Sequence, residues 1–219
     1  MNKVVYILLF VLLGMALPAI AQKPFDEGII RYHAVFKSLN PLKDTKSYDG
    51  TYTYTIKGKM VRKELKLDNG YNDIVIMNGN NNTLYTLQTT GGKKYAIQHD
   101  MEVHLTRQKK FEGFTIKDDG EKKTIGGYDA QKAVVTYTDG TNKIIYYSKQ
   151  WQPVFEHTFD RLPGANFIPL EFDVAEDRQE VLIHFTIEKI ELIPVENAAF
   201  RIPADYKMVS NEEYKELNK

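Results

Sequence analysis

Residues 48–67 read YDGTYTYTIKGKMVRKELKL, and this stretch decides the fold. Tyr52, Tyr54 and Ile56 alternate with Thr51, Thr53 and Thr55. Aromatic and β-branched residues in strict alternation mark a strand with one buried face. Lys57-Gly58-Lys59 reads as a tight turn, and Met60–Leu67 as the returning strand. Asp68-Asn69-Gly70 closes the unit with residues that tolerate positive φ. Within the returning strand, Arg62 and Glu64 are two apart, so they share a face and can pair.

The period of two continues in both directions. Upstream, Gly28–Lys37 places Ile30, Tyr32, Ala34 and Phe36 on one face. Downstream, strands are predicted at Ile74–Met77, Thr83–Thr89, Lys94–His99, Lys122–Ile125 and Ala130–Thr138. Further strands follow at Lys143–Ser148, Leu170–Val174 and Val181–Leu192. Gly-, Asn- and Asp-rich turns separate them, with Asp118-Asp119-Gly120 read as one such turn. Pattern counting gives about ten to twelve strands at hairpin spacing. A short helix is allowed within His99–Gly113, where Met101 and Leu105 share a helical face. A terminal helix is predicted at Asn211–Leu217, opened by the capping box of Ser210 and Glu213. The fold class expected is mainly β: a curved antiparallel sheet, barrel or half-barrel, with one or two short helices.

Residues 1–21 read as a cleavable signal peptide. Lys3 precedes the apolar run Val4–Leu17, Pro18 breaks it, and Ala19-Ile20-Ala21 supplies the small-x-small cleavage pattern. The run is shorter than the ~20 residues that span a bilayer. Residues 22–219 are then one antiparallel β domain, periplasmic or secreted, with no integral membrane segment after cleavage. The chain has no cysteine, so neither a lipobox nor a disulfide is expected. Basic and acidic residues balance at 29 each, and no basic cluster points to nucleic acid.

Motifs that carry chemistry are scarce. His99 and His104 are five apart, a spacing that fits neither a helical nor a strand metal pair. They read as polar residues on a loop or solvated face, and His33 and His184 as residues on the outer faces of strands. The adjacent acids Asp118-Asp119 and Glu212-Glu213 read as solvated. No nucleophile elbow, phosphate loop, dinucleotide fingerprint or zincin motif occurs. No catalytic residue, metal or cofactor is therefore expected, and the chain reads as a non-enzyme. The segment Leu162–Leu170, LPGANFIPL, is apolar and punctuated by two prolines and a glycine. It suits either a cover over the mouth of a β structure or a plain connection.

Three segments together carry a family resemblance. The first runs from Lys122 to Phe172, with Ile125, Gly127, Tyr128, Lys132 and Ala133, then Tyr146-Tyr147-Ser148, then Leu162-Pro163-Gly164. The second is YTIKGKMVRKEL, through Ile56, Lys57, Gly58, Arg62 and Glu64. The third is the closing segment with Phe200, Ile202, Pro203 and Tyr206. In this order they resemble the GLPGLI family and related secreted proteins with a LolA-like fold. The sequence departs from that pattern at Ala130, where those proteins have cysteine, and in the loop, which reads LPGANFIPL. The resemblance implies a half-barrel wrapped around one or two helices, with an apolar concave face that in carriers of the group holds acyl chains.

Phe36, Tyr52, Tyr54, Ile56, Tyr85, Tyr147 and Phe167 are the candidate ligand-binding residues by pattern, each equally readable as core. Three functions are ranked. The first is an exported carrier or binding protein for an apolar small molecule, lipid or lipoprotein acyl chain. The second is a non-catalytic cell-envelope module that binds an envelope protein and has no ligand cavity. The third is an enzyme with scattered acids and histidines.

Overall fold

The structure is a computed structural model that describes residues 22–38, 47–176 and 181–217. The expected signal peptide lies outside the described residues. Fourteen strands occur among them. The first seven are β1 (Lys23–Phe25), β2 (Glu27–Ser38), β3 (Tyr48–Lys57), β4 (Met60–Leu67), β5 (Asn72–Asn78), β6 (Thr83–Thr90) and β7 (Lys93–His99). Helix α1 (Met101–Gln108) and a 3-10 turn (Lys109–Phe111) follow. Next come β8 (Thr115–Ile125), β9 (Tyr128–Thr136), β10 (Asn142–Ser148), β11 (Trp151–Pro153), β12 (Ile168–Glu176) and β13 (Val181–Glu191). A 3-10 turn (Asn197–Phe200), β14 (Lys207–Ser210) and helix α2 (Asn211–Leu217) end the chain.

Twelve of the strands form one sheet in the order β14-β7-β6-β5-β4-β3-β2-β13-β12-β10-β9-β8. It is curved and not closed, which is the expected half-barrel. Neighbours are antiparallel except β14, which runs parallel to β7. β1 and β11 form a separate two-stranded parallel ladder. The middle of the sheet is the long antiparallel pair of β2 and β13, which brings Ile30 opposite Ile190 and Phe36 opposite Ile183.

The alternation in the sequence sets which face is buried. In β2, Ile30, Tyr32 and Ala34 are fully buried. Arg31 and His33 lie on the other face. In β3, Tyr54 and Ile56 are buried, and in β13 so are Ile183, Phe185 and Ile187. The buried side is the inner face, where the main core lies against α1 through Met101 and against the loop between β11 and β12 through Phe155, Phe159, Leu162 and Phe167. A smaller cluster of Ile74, Ile76, Leu87 and Ala96 faces outward and is covered by Phe200, Ile202 and Tyr206. On the outer face, the Arg62 guanidinium meets the Glu64 carboxylate at 3.3 Å, the pairing the spacing suggested.

Both helix starts follow their caps. The Asp100 carboxylate accepts the Val103 amide, and α1 begins there. At α2 the Glu213 amide donates to the Ser210 hydroxyl and the Ser210 amide to the Glu213 carboxylate. This is the reciprocal capping box.

Two sequence expectations change. Asp118-Asp119-Gly120 is not a turn between strands. It is a bulge inside β8, where the register against β9 shifts between Asp118 and Lys122. Gly120 takes φ +88° there, and the Lys132 ammonium bonds Asp119 Oδ2 at 3.1 Å and Glu121 Oε2 at 2.7 Å across it. Acids bound to a lysine of the neighbouring strand let pairing resume instead of reversing the chain. The other change is the short parallel strands β1, β11 and β14, which no local pattern announced. Their partners are distant in sequence, so no turn residue flags them.

Gly50 lies in β3 where it faces Leu67 of β4. A Cβ at this position would sit 2.0 Å from the Lys66 carbonyl oxygen and 2.9 Å from Leu67 Cα, both backbone atoms. Gly50→Ala should therefore force the two strands apart. The expected loss is about 1–3 kcal/mol, the cost of overpacking a tight site. Urea denaturation read by circular dichroism will measure it as a lower midpoint.

Candidate functional site

The inner face is not completely filled. A cavity of 570 Å³ remains between β3, β4, β12 and β13 on one side and the β11–β12 loop on the other. Its size lies within the roughly 300–1,000 Å³ typical of small-molecule sites. Two hairpin ends stand at its rim: Leu67, Asn69 and Tyr71 at the β4–β5 turn, and Asp139, Thr141 and Lys143 at the β9–β10 turn.

Aromatic rings make the wall. Phe159 of the loop packs edge-on to Tyr54, with centroids 5.3 Å apart. Tyr54 meets Tyr52 at 4.8 Å, Tyr52 meets Phe185 at 5.0 Å, and Phe185 stacks on Phe172 at 5.0 Å. Tyr32 lies behind, edge-on to Phe172 at 5.6 Å, and its hydroxyl donates to the Pro169 carbonyl at 2.8 Å. Edge-to-face contacts of this kind add about 0.5–1.5 kcal/mol each beyond area burial. The wall is therefore stiff as well as apolar. Burial pushes the Tyr52 and Tyr54 hydroxyls well above the ordinary tyrosine range, so both present neutral hydroxyls.

A charged cluster pins the loop beside this wall. Lys63 is buried in β4, and its ammonium donates to Asp160 Oδ1 of the loop at 2.5 Å. The same ammonium lies 5.7 Å from the Tyr54 ring centre. His104 of α1 approaches Asp160 at 3.9 Å, beyond hydrogen-bond distance. Its Nε2 is buried with no hydrogen-bond partner, and so is Nε2 of His99. The solvated placement expected for these two histidines is thus corrected. His99 ends β7 opposite Leu84 on the inner face, and α1, started by the Asp100 cap, carries His104 toward Asp160. Burial, first among the causes, lowers the pKa of each imidazole. His33 and His184 do lie on the outer faces of their strands, each partly exposed.

At the rim, Asp73 projects inward from β5. Burial raises its carboxyl pKa, and a hydrogen bond with Gln88 opposes that shift. The Arg161 guanidinium lies over the Phe111 ring at 5.3 Å and donates to the Ala175 carbonyl at 3.3 Å. The Tyr137 hydroxyl donates to the Arg161 carbonyl at 2.9 Å. These contacts tie the loop to the turn after α1 and to β12. The apolar segment Leu162–Leu170 is part loop and part strand: Leu162 and Phe167 are buried in the core from the loop, while Ile168 and Leu170 are buried within β12 of the sheet itself.

The seven residues singled out by pattern fall into three groups. Phe36, Tyr52 and Tyr54 line the cavity. Ile56, Tyr147 and Phe167 are buried in the main core, with Tyr147 and Phe167 ring centres 4.7 Å apart. Tyr85 pairs with Ile76 across β5, so it lies on the outer face. Pattern reading missed Phe159, Phe172 and Phe185. For Phe172 and Phe185 the alternation in their strands was a usable signal. Phe159 lies in an irregular loop with no period at all. Among the described residues no group of three or more His, Asp or Glu side chains is arranged to hold a metal. No helix among them is long and apolar enough to cross a membrane.

No family model matches the sequence. No curated protein matches it either. Solved structures are similar in fold at low identity. MucB, solved in complex with MucA(peri), is 14% identical, with 83% of this chain and 57% of MucB covered and a TM-score of 0.42. A LolA superfamily protein from Nitrosomonas europaea, NE2245, is 11% identical, with 83% and 92% covered and a TM-score of 0.35. A DUF1329 family protein from Desulfovibrio piger is 11% identical, with 82% and 92% covered and a TM-score of 0.38. The chain thus spans just over half the length of MucB. These are loose likenesses of fold, and the reading of the site rests on its own geometry.

Breaking one partner of a buried ion pair costs about 3–5 kcal/mol. Asp160 keeps 34% of its side chain exposed, so Asp160→Ala should fall near the lower end of that range. Lys63→Met, which leaves no buried charge, should cost less. Paired urea denaturation of the two variants checks the order.

A second expectation concerns pH. The unfolded chain takes up protons at His99 and His104 more readily than the folded one, because burial lowers both pKa values. Stability is then complete above the ordinary imidazole range and falls as pH drops through it. The melting temperature should decline between about pH 7 and 5, and His99→Gln with His104→Gln should flatten that slope. Thermal melts across this range will show whether it does.

Proposed function

We propose that this protein is an exported binding or carrier protein for an apolar ligand, such as a lipid or lipoprotein acyl chain, acting in the periplasm or beyond. The carrying observation is the 570 Å³ cavity walled by Phe36, Tyr52, Tyr54, Phe159, Phe172 and Phe185. Hydrophobic transfer yields roughly 25 cal/mol per Å² of apolar surface removed from water. Such a wall binds through burial and needs few placed polar groups. The pinned loop makes the site largely preformed, which lowers the ordering cost of binding. The N-terminal signal pattern supports export. The proposed role is non-catalytic, binding by means of aromatic carbon surface and neutral tyrosine hydroxyls.

The test is native mass spectrometry with lipid extraction on the mature protein purified from its own cell envelope. A near-stoichiometric lipid or acyl species is the expected result. A clean apo mass, with no thermal stabilisation by added lipids or fatty acids, overturns the reading in favour of an envelope protein-interaction module. Leu65→Trp, which places a large ring into the cavity, should weaken binding about tenfold or more. Its stability loss should stay within the ~1–3 kcal/mol of overpacking. Titration calorimetry beside a thermal melt separates the two effects.

A further inference from the structure

Charge is distributed unevenly between the used and unused groups at the cavity rim. Four aspartates are among the lining residues, and each carboxylate has a partner within the chain. Asp160 is held by the Lys63 ammonium at 2.5 Å. The Asp173 carboxylate is turned to the outer face, where it contacts His184 Nδ1 at 2.7 Å. Asp139 accepts the Thr141 amide at 2.8 Å, closing its own turn. Asp73 bonds Gln88, and burial works against its ionised form. The lysines at the rim are differently placed. The side chain of Lys143, a partly buried residue of β10, makes no ion pair or hydrogen bond among the described residues. Lys110 is exposed, its ammonium sits 4.8 Å from the Phe111 ring centre, and, after the Thr141 amide bond, its charge helps to lower the pKa of Asp139 across the rim.

Strand register sets where Lys143 points. Ile145 pairs with Ala133 and Phe172 and is buried on the inner face. Lys143 is two residues earlier on the same strand, so its side chain leaves the same face one step nearer the rim. Lys143 thus brings a positive charge to the edge of an apolar cavity, where charge without a counter-ion is poorly accommodated. An anion placed there supplies the counter-ion, and a short charge-assisted bond is stronger than a neutral one.

We propose that the cavity takes an anionic amphiphile, with its apolar body against the aromatic wall and its carboxylate or phosphate at Lys143. This rests on the apolar-ligand reading above and adds the sign of the head group. A free fatty acid and an anionic lipid head group supply the same chemistry. Neutral and cationic amphiphiles lack it.

The test uses the delipidated mature protein and three probes below their micellar concentrations: palmitate, palmitoyl-lysophosphatidylglycerol and the uncharged monopalmitoylglycerol. Titration calorimetry should show one or both anions binding about tenfold tighter than the uncharged probe, the scale of one charge-assisted bond. Preference for palmitate alone identifies a free carboxylate as the source, and preference for the lysolipid alone a head-group phosphate. Lys143→Glu should lower the anionic-to-neutral affinity ratio about tenfold, and Lys143→Gln should lower it less. Comparable affinity for all three probes overturns this proposal and leaves the apolar-ligand reading standing. An unchanged ratio in Lys143→Glu overturns it too. Binding of none of the probes overturns both readings.

Discussion

An open sheet with one apolar face must cover that face with something. Here the cover is the loop between β11 and β12, and its attachment to the sheet is the constraint on which the inner face depends. Phe159 seats against Tyr54, and Asp160, the next residue, bonds Lys63 of the neighbouring strand. An apolar anchor and a polar one thus lie side by side. The first supplies most of the free energy through burial. The second sets the position, because a buried ammonium accepts few alternative placements of its partner. With the loop fixed there, Phe159 to Leu162 and the rings of Tyr52, Phe172 and Phe185 line the same cavity.

The same arrangement explains why the core is divided. The inner face carries the long contiguous cluster, because the half-barrel curves around it. On the outer face of the β5–β7 wing the described residues form an apolar cluster, and there the segment around Phe200, Ile202 and Tyr206 lies across it. The outer side of β2 and β3 needs no cover, since Arg31, His33, Thr51, Thr53 and Thr55 are content in water. Polar and apolar covering are each matched to the residues beneath them.

Much of this was legible from residue order. Alternation located the long strands, and the capping box fixed the last helix to the residue. The hairpin of β3 and β4 gave both the turn and the inward set of Tyr54 and Ile56. Legibility failed where structure is set by distant partners. The parallel strands have no turn to flag them, and Phe159 acquires its role only by meeting Tyr54. Candidate site residues were harder than core residues for a related reason. Alternation says which side chains share a face, but not where along the face the cover leaves a gap. So Phe36 and Ile56, on the same face of adjacent strands, end respectively at the cavity and in solid core. Tyr85 followed the alternating pattern too, yet its strand presents it to the opposite side.

The central ladder joins the second strand of the chain to the thirteenth. Arg31 and Glu191, which form an ion pair across that ladder, are 160 positions apart. A chain that emerges N-terminus first, from a ribosome or through a membrane pore, can build the β3–β7 meander early. It cannot complete the middle of the sheet until β13 is released. Until then β2 has one unpaired edge and the aromatic wall has no opposite side. Pairings over such separations form slowly, because loop closure precedes any gain from contact. The connectivity therefore acts as a delay. It keeps the aromatic wall unassembled until β13 is available.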